Sequence, residues 1–309
     1  MFKRINIYLI SSLIIFLPLV SFFTYKVYSN YEDVKAKEVL LEKKKQAWHN
    51  LNRTLQNKVN NFRGEVGIII KDLDTDWEIT FNKNKLMPAA SLVKLPILLS
   101  YFYAAEEGKV KLSDTVNLRR SQIVAGSKVL GNAPGGSVYS VEELFNPMIT
   151  QSDNTATNVL IDRMGFSTLN DYFRKLGLKN TNLSRKMLDF KERREGVENY
   201  TTVSDMAYLL EELYRKSFLN KDISEKCLEL LVQQKVNDRI PRKLPKAVSV
   251  AHKTGLERHI CHDVGIVFTD KGDFLVCVLA KHDDKLARSA KKFISDVALL
   301  TYKYCQNLN

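Results

Sequence analysis

The sequence predicts an α+β protein (an α/β sandwich). One antiparallel sheet of about five strands is drawn from both ends of the chain and flanked by terminal helices. An all-helical lobe is inserted between the two strand groups, and a transmembrane helix stands in front. Three observations carry this. Strand-like apolar runs cluster near residues 67–81 and 248–279, helical periodicity dominates the stretch between them at about 88–240, and residues 5–25 carry no charge. Consecutive strands joined by short turns pair antiparallel, so a single sheet built from both groups is the economical arrangement.

The uncharged run from Ile5 to Tyr25 is long enough, at about 1.5 Å per residue, to cross roughly 30 Å of hydrocarbon. Lys3 and Arg4 precede it, which makes residues 1–4 a cytoplasmic tip and sends everything after Lys26 outside. A cleaved signal peptide, giving a secreted form, is the alternative. The aromatic residues Phe22, Phe23, Tyr25 and Tyr28, and the want of a small-x-small site after Val20, favour an uncleaved anchor. Residues 26–44 are polar and lysine-rich and read as a juxtamembrane stalk. The main domain is expected over 45–309, outside the cytoplasm in the periplasm or at the cell exterior.

Within that domain, Trp48, Leu51, Leu55, Val59 and Phe62 recur at steps of three and four, one face of a helix. Gly67 to Ile70 and Trp77 to Phe81 read as a hairpin turned by Asp74-Thr75-Asp76. Helical patterns follow at Val93–Ala105, Val141–Ile149, Asn154–Met164 and Val203–Leu213, punctuated by glycines. After Pro245 come strands at Val248–Ala251, Val264–Phe268 and Phe274–Leu279, then a helix with Phe293, Ile294, Val297, Leu300 and Tyr304 on one face. Two lobes imply a cleft, the ordinary place for a ligand.

The formal charge of +12 over 309 residues invites a nucleic-acid reading. However, residues 1–60 hold 10 Lys/Arg against 4 Asp/Glu, half of the surplus in a fifth of the chain and beside the expected membrane. No nucleic-acid partner is therefore expected; the membrane, through the anchor, is. Cys227, Cys261, Cys277 and Cys305 would lie where disulfides form, yet none makes a Cys-x-x-Cys pair. Cys277, inside Phe274-Leu-Val-Cys-Val-Leu-Ala, reads as a buried free thiol. No metal or cofactor motif is visible, and none is expected.

Three short elements bear on chemistry. Ser91-Leu-Val-Lys94 opens the first helix of the insert. Positions i and i+3 share a helix face, so the Lys94 amine can reach the Ser91 hydroxyl. A desolvated lysine can take a proton from serine, and a helix N-terminus favours an oxyanion beside it. The pattern is cheap alone, since Ser289 to Lys292 repeats it on the last helix. Ser152-Asp-Asn154 reads in isolation as a helix N-cap, and Lys253-Thr-Gly255 as a strand end.

Together and in this order, Ser-x-x-Lys, Ser-Asp-Asn and Lys-Thr-Gly resemble the signature set of the class A β-lactamases and penicillin-binding proteins. The separations of 61 residues from Ser91 to Ser152 and 101 from Ser152 to Lys253 are similar to that family's. The resemblance runs from about residue 45 to the C-terminus and implies a serine hydrolase or acyltransferase. Ser91 would be the acylated nucleophile, Lys94 its proton acceptor and Ser152 the relay to the leaving nitrogen. Asn154 would hold the substrate's side-chain amide, Lys253 and Thr254 would bind its carboxylate, and Gly255 is implied as a further substrate-binding residue. The amides of Ser91 and Leu256 would form the oxyanion hole. The implied substrate is a small anionic β-lactam or a peptidoglycan peptide, and Arg258, His259 and His262 could add positive charge.

One departure from the family pattern matters. Class A β-lactamases carry a glutamate in an Arg-x-Glu loop that activates the deacylating water. Aligning Thr201-Thr202 and Met206 with the end of that loop puts Met187 at the position of the glutamate, within Arg185-Lys-Met187. Methionine is no base, so slow deacylation is expected unless Asp189 or Glu192 substitutes. Two alternatives stay open: a D-Ala-D-Ala carboxypeptidase or penicillin-binding-like wall enzyme, and a non-catalytic module that binds β-lactams or wall peptides.

Overall fold

The computed structural model describes the backbone of residues 2–307 and the side chains of Phe22 and residues 24–307. By contacts the chain divides into a unit ending at Asn52 and a second spanning Arg53–Asn307. Helix α1, Phe2–Asn60, is continuous through the region read as anchor and stalk. The anchor at 5–25 lies almost wholly outside the residues whose side chains are described. Among the described residues no helix is long and apolar enough to cross a membrane.

In the second unit the order is β1 (Gly64–Asp72), β2 (Glu78–Phe81), β3 (Met87–Pro88), a 3-10 turn at Ala90–Val93, α2 (Lys94–Glu106), β4 (Thr115–Asn117) and β5 (Val138–Ser140). Helices α3 (Val141–Thr150), α4 (Asn154–Met164), α5 (Phe166–Lys175) and α6 (Phe190–Arg194) come next. The chain closes with β6 (Tyr200–Thr201), α7 (Val203–Tyr214), α8 (Lys221–Val232), β7 (Ser249–Glu257), β8 (Ile260–Phe268), β9 (Phe274–His282) and α9 (Arg288–Gln306). The main sheet runs β2-β1-β9-β8-β7, antiparallel throughout, so the first two strands meet the last three at the β1–β9 seam, with Ile69 opposite Cys277.

Both faces of that sheet are covered, which explains why its central strands are nearly unbroken apolar runs rather than alternating ones. On β9, Leu275, Cys277 and Leu279 join the large core shared with α2, α3 and α7. The intervening Val276, Val278 and Ala280 are equally buried on the other face. Helix α9 contacts β8 and β9 and buries Ala290, Phe293, Ile294, Val297, Ala298 and Thr301, an i, i+3, i+4, i+7 stripe. All four cysteines are buried and free.

The strand expected at Val248–Ala251 runs on to Glu257, so Lys253-Thr-Gly255 sits inside β7 rather than at its end. Strand β8 likewise starts at Ile260, with Lys253 opposite Val264 and Gly255 opposite His262. Polar residues at 252–254 and 262–263 hid these segments from an apolar pattern, although every one of them is buried. Gly265 is required by close approach: a Cβ there would meet the Ala251 carbonyl oxygen at 2.7 Å.

Candidate active site

The nucleophile candidate is held by strained backbone. Ser91 lies in the 3-10 turn, and Ala90 before it has φ +46°, a left-handed conformation that costs a residue with a Cβ roughly 1–2 kcal/mol. The turn is pinned from outside, because the Ala89 N–H donates to the Asn199 carbonyl at 2.7 Å. Lys94 is the first residue of α2 and fully buried.

Lys94 Nζ donates to the Ser152 carbonyl at 2.7 Å and to Asn154 Oδ1 at 2.8 Å, and lies 3.1 Å from Ser152 Oγ. Among the described residues no hydrogen bond joins it to Ser91 Oγ, in contrast to the contact expected from the i, i+3 spacing. The Ser152–Asn154 segment occupies all three directions in which an ammonium can donate. Burial, reinforced by the positive charge of Lys253, holds the Lys94 amine well below the usual lysine range. A neutral Lys94 satisfies the same contacts by donating to the two carbonyl oxygens and accepting from the Ser152 hydroxyl.

Ser152 is itself in a left-handed conformation, φ +57°. Asp153 makes this tolerable. Its Oδ1 caps α4 by accepting the Ala156 N–H at 2.9 Å, and its Oδ2 accepts the N–H groups of Val129 and Leu130 at 2.9 and 3.0 Å. The N-cap expected in this motif is therefore Asp153, and capping leaves Ser152 and Asn154 free to meet Lys94.

From the opposite side, Lys253 Nζ donates to the same Ser152 Oγ at 3.1 Å and to the Thr254 carbonyl at 3.0 Å. Ser152 Oγ is thus shared by two buried lysines. Burial pulls Lys253 down to about 7, against the opposing pull of the Asp263 carboxylate. Thr254 is buried, and a Cβ at Gly255 would crowd Leu92 and the His262 ring at 3.2–3.3 Å, so glycine lets β7 pass close to the nucleophile's turn. Leu256 is exposed.

Not every candidate joins this cluster. Asp189 Oδ1 accepts the Glu192 N–H at 3.1 Å and caps the short α6. Among the described residues no hydrogen bond connects Asp189 or Glu192 to Ser91, Lys94, Ser152 or Lys253. His262 is not an added cation. Burial drops it to about 4, and it spans from the Pro88 carbonyl at 2.8 Å to the Ala280 N–H at 3.1 Å. Arg258 turns onto His259, its Nε 3.2 Å from the imidazole Nε2.

Three residues escaped the sequence reading. Asn158, one turn beyond Asn154, bonds both backbone groups of Met187, and the repeat of asparagine at i+4 was the available signal. Asp263 accepts the Ile240 N–H at 3.0 Å and pairs with His252 at 2.9 Å, supplying the buried anion beside Lys253. Arg239 is buried, its Nη1 3.3 Å from Asp238 Oδ1 and its Nε donating to Cys261 Sγ at 3.2 Å, and its charge acts on Lys253. Nothing in the local sequence marks either of the last two.

Residues 50–305 match the family described as the beta-lactamase enzyme family. The extended-spectrum beta-lactamase PER-1 of Pseudomonas aeruginosa is 23% identical over 267 residues, covering 82% of this chain and 87% of that protein. The structure of a beta-lactamase from Sphaerobacter thermophilus superposes with a TM-score of 0.75 at 28% identity, covering 84% of this chain and 98% of that one. A leucine-to-glutamate mutant of PBP-A, solved as an acyl-enzyme complex with penicillin G, gives 0.76 at 28% identity, covering 84% and 97%. The fold, the three motifs and the match over most of the chain agree: this protein belongs to the beta-lactamase enzyme family.

Proposed function

We propose that the protein is an active-site serine hydrolase or acyltransferase, acylated at Ser91 by β-lactams and slow to release the acyl group. The observation that carries this is Ser152 Oγ, 3.1 Å from both Lys94 and Lys253. In acylation, Ser91 Oγ attacks the lactam carbonyl and its proton passes to neutral Lys94. Ser152 then takes a proton from Lys94 and delivers its own to the departing nitrogen as the C–N bond breaks. The amides of Ser91 and Leu256 stabilise the oxyanion, Asn154 holds the acyl amide, and Lys253, Thr254 and Gly255 hold the substrate carboxylate.

Deacylation needs a base for water, and Met187 stands at the family's glutamate position. Its backbone clamp to the site helix supports that alignment. The want of a base there, together with the likeness to PBP-A, favours a penicillin-binding-like or D-Ala-D-Ala-peptide-processing enzyme as the second reading. We also infer an extracytoplasmic location for residues 45–309, tethered by the uncharged run at 5–25. Incubation of intact protein with penicillin G tests the main reading. A mass increase of one penicillin at Ser91 that persists for hours is expected. Folded protein with no adduct and no turnover would overturn it, and rapid nitrocefin turnover that survives Asp189→Asn and Glu192→Gln would overturn the slow-deacylation part.

A further inference from the structure

Just beyond the oxyanion residue, β7 ends on a buried charge that the chemistry above does not use. Glu257 follows Leu256, and its side chain is only 7% exposed. Arg185 Nη2 donates to both of its oxygens at 3.2 Å, and Arg193 Nη1 lies 3.0 Å from Oε2. Both arginines come from the 185–199 loop, as does Glu198, whose Oε1 lies 2.6 Å from Arg185 Nη2. Two arginines and two glutamates thus balance charge in a site where an unpaired ion would be costly.

The loop ends are closed independently of Glu257. Asn199 Oδ1 accepts the N–H groups of Ser184 and Arg185 at 2.7 and 2.9 Å, and Asn199 Nδ2 donates back to the Arg185 carbonyl at 3.0 Å. The same Asn199 accepts the Ala89 N–H beside the nucleophile's turn. The loop is therefore tied to the Ser91 side of the site at its neck, and through Glu257 to the Leu256 side. A neck already closed by Asn199 does not need a carboxylate from another strand; the added bond links two elements that must keep a fixed spacing.

We propose that Glu257 is a positioning residue for acylation: gripped by Arg185 and Arg193, it sets the strand end that presents the Leu256 amide at a fixed distance from the Ser91 turn. This rests on the reading of Ser91 as nucleophile and of Leu256 as an oxyanion donor. A donor displaced by a fraction of an ångström loses much of its value in the transition state, while ground-state binding changes little.

The test uses the full chain and penicillin G. Glu257→Gln keeps the shape and removes the charge, and should slow acylation roughly ten-fold with little change in the initial binding constant. Glu257→Asp should recover part of the rate. Arg193→Gln, at a more exposed position, should slow acylation less, and the double variant should be no slower than Glu257→Gln alone, because both act through one contact. Infrared difference spectra of the acyl-enzyme should show the ester carbonyl band at higher frequency in Glu257→Gln, reporting a weaker oxyanion hydrogen bond. Wild-type rate and band position in Glu257→Gln would overturn the proposal, even if its thermal stability fell. If that variant does not fold, unchanged rate and band in Arg193→Gln do the same. Absence of any adduct in the unmodified chain would instead remove the reading of Ser91 itself.

Discussion

Asn158 holds Met187 by both of its backbone groups: Oδ1 accepts the Met187 N–H at 2.8 Å, and Nδ2 donates to the Met187 carbonyl at 3.1 Å. Both residues are buried, so no water replaces these bonds if the amide is removed. Asn158→Leu should destabilise the fold by about 2–4 kcal/mol, two orphaned backbone groups at about 1–2 kcal/mol each. Urea denaturation followed by circular dichroism measures this, and a loss under about 0.5 kcal/mol would show the clamp to be replaceable.

The clamp fixes a backbone, not a chemistry. Met187→Glu should therefore place a carboxylate where the family holds its base without rebuilding the loop. The acyl-enzyme lifetime with penicillin G should shorten by about 100-fold or more, the scale of general-base catalysis, while the acylation rate stays within a few-fold. Time-resolved mass spectrometry separates the two. An unchanged lifetime would mean that residue 187 does not face the acyl group.

Asp153 carries three backbone N–H groups on one carboxylate, from Ala156, Val129 and Leu130. Asp153→Ala should cost about 3–5 kcal/mol, one cap plus two unsatisfied donors. It should also slow acylation, since Ser152 would no longer be held left-handed beside Lys94. Comparing urea midpoints with the adduct rate under native conditions checks both.

The two lysines should be visible in the pH profile. Lys253 is protonated below about 7 and so offers its cation to a substrate carboxylate on the acid side. Lys94 acts as a base only when neutral, and burial with the nearby Lys253 charge lowers its pKa. The second-order acylation rate for penicillin G should fall as pH rises through about 7 in free enzyme, and penicillin G methyl ester should not show that fall. Lys253→Gln removes a neighbouring positive charge, raises the Lys94 pKa, and moves the acid limb to higher pH. Stopped-flow acylation across pH 5–9, which spans about two units either side of Lys253, reads all three.

The sheet was legible where burial is uniform. Val264–Phe268 and Phe274–Leu279 are apolar because both faces of the sheet are covered, and a run of that kind reads directly as strand. The same strands escape an apolar pattern at His252–Thr254 and His262–Asp263, where the buried residues are polar: His252 pairs with Asp263 across β7 and β8, Lys253 reaches Ser152, and His262 bridges Pro88 and Ala280. Periodicity has no term for a partner that lies eleven residues away, as Asp263 does from His252.

The sequence by itself determined the order of the main elements, the antiparallel sheet drawn from both strand groups and the three motifs, because each depends on local spacing and on residue types that few environments demand together. It named Ser91, Lys94, Ser152, Asn154 and Lys253 as candidates, and it placed Met187 in the loop. Only the tertiary structure decided how they meet. Lys94 bonds the Ser152–Asn154 segment rather than Ser91, Asp153 is the residue of its motif that caps the helix, and His262 is a buried neutral ring rather than a cation. Arg185, Arg193 and Glu257 converge from two distant segments. Hydrogen-bond partners and desolvation are set by what the fold brings within about 3 Å, and that distance is a property of packing, which no spacing along the chain contains.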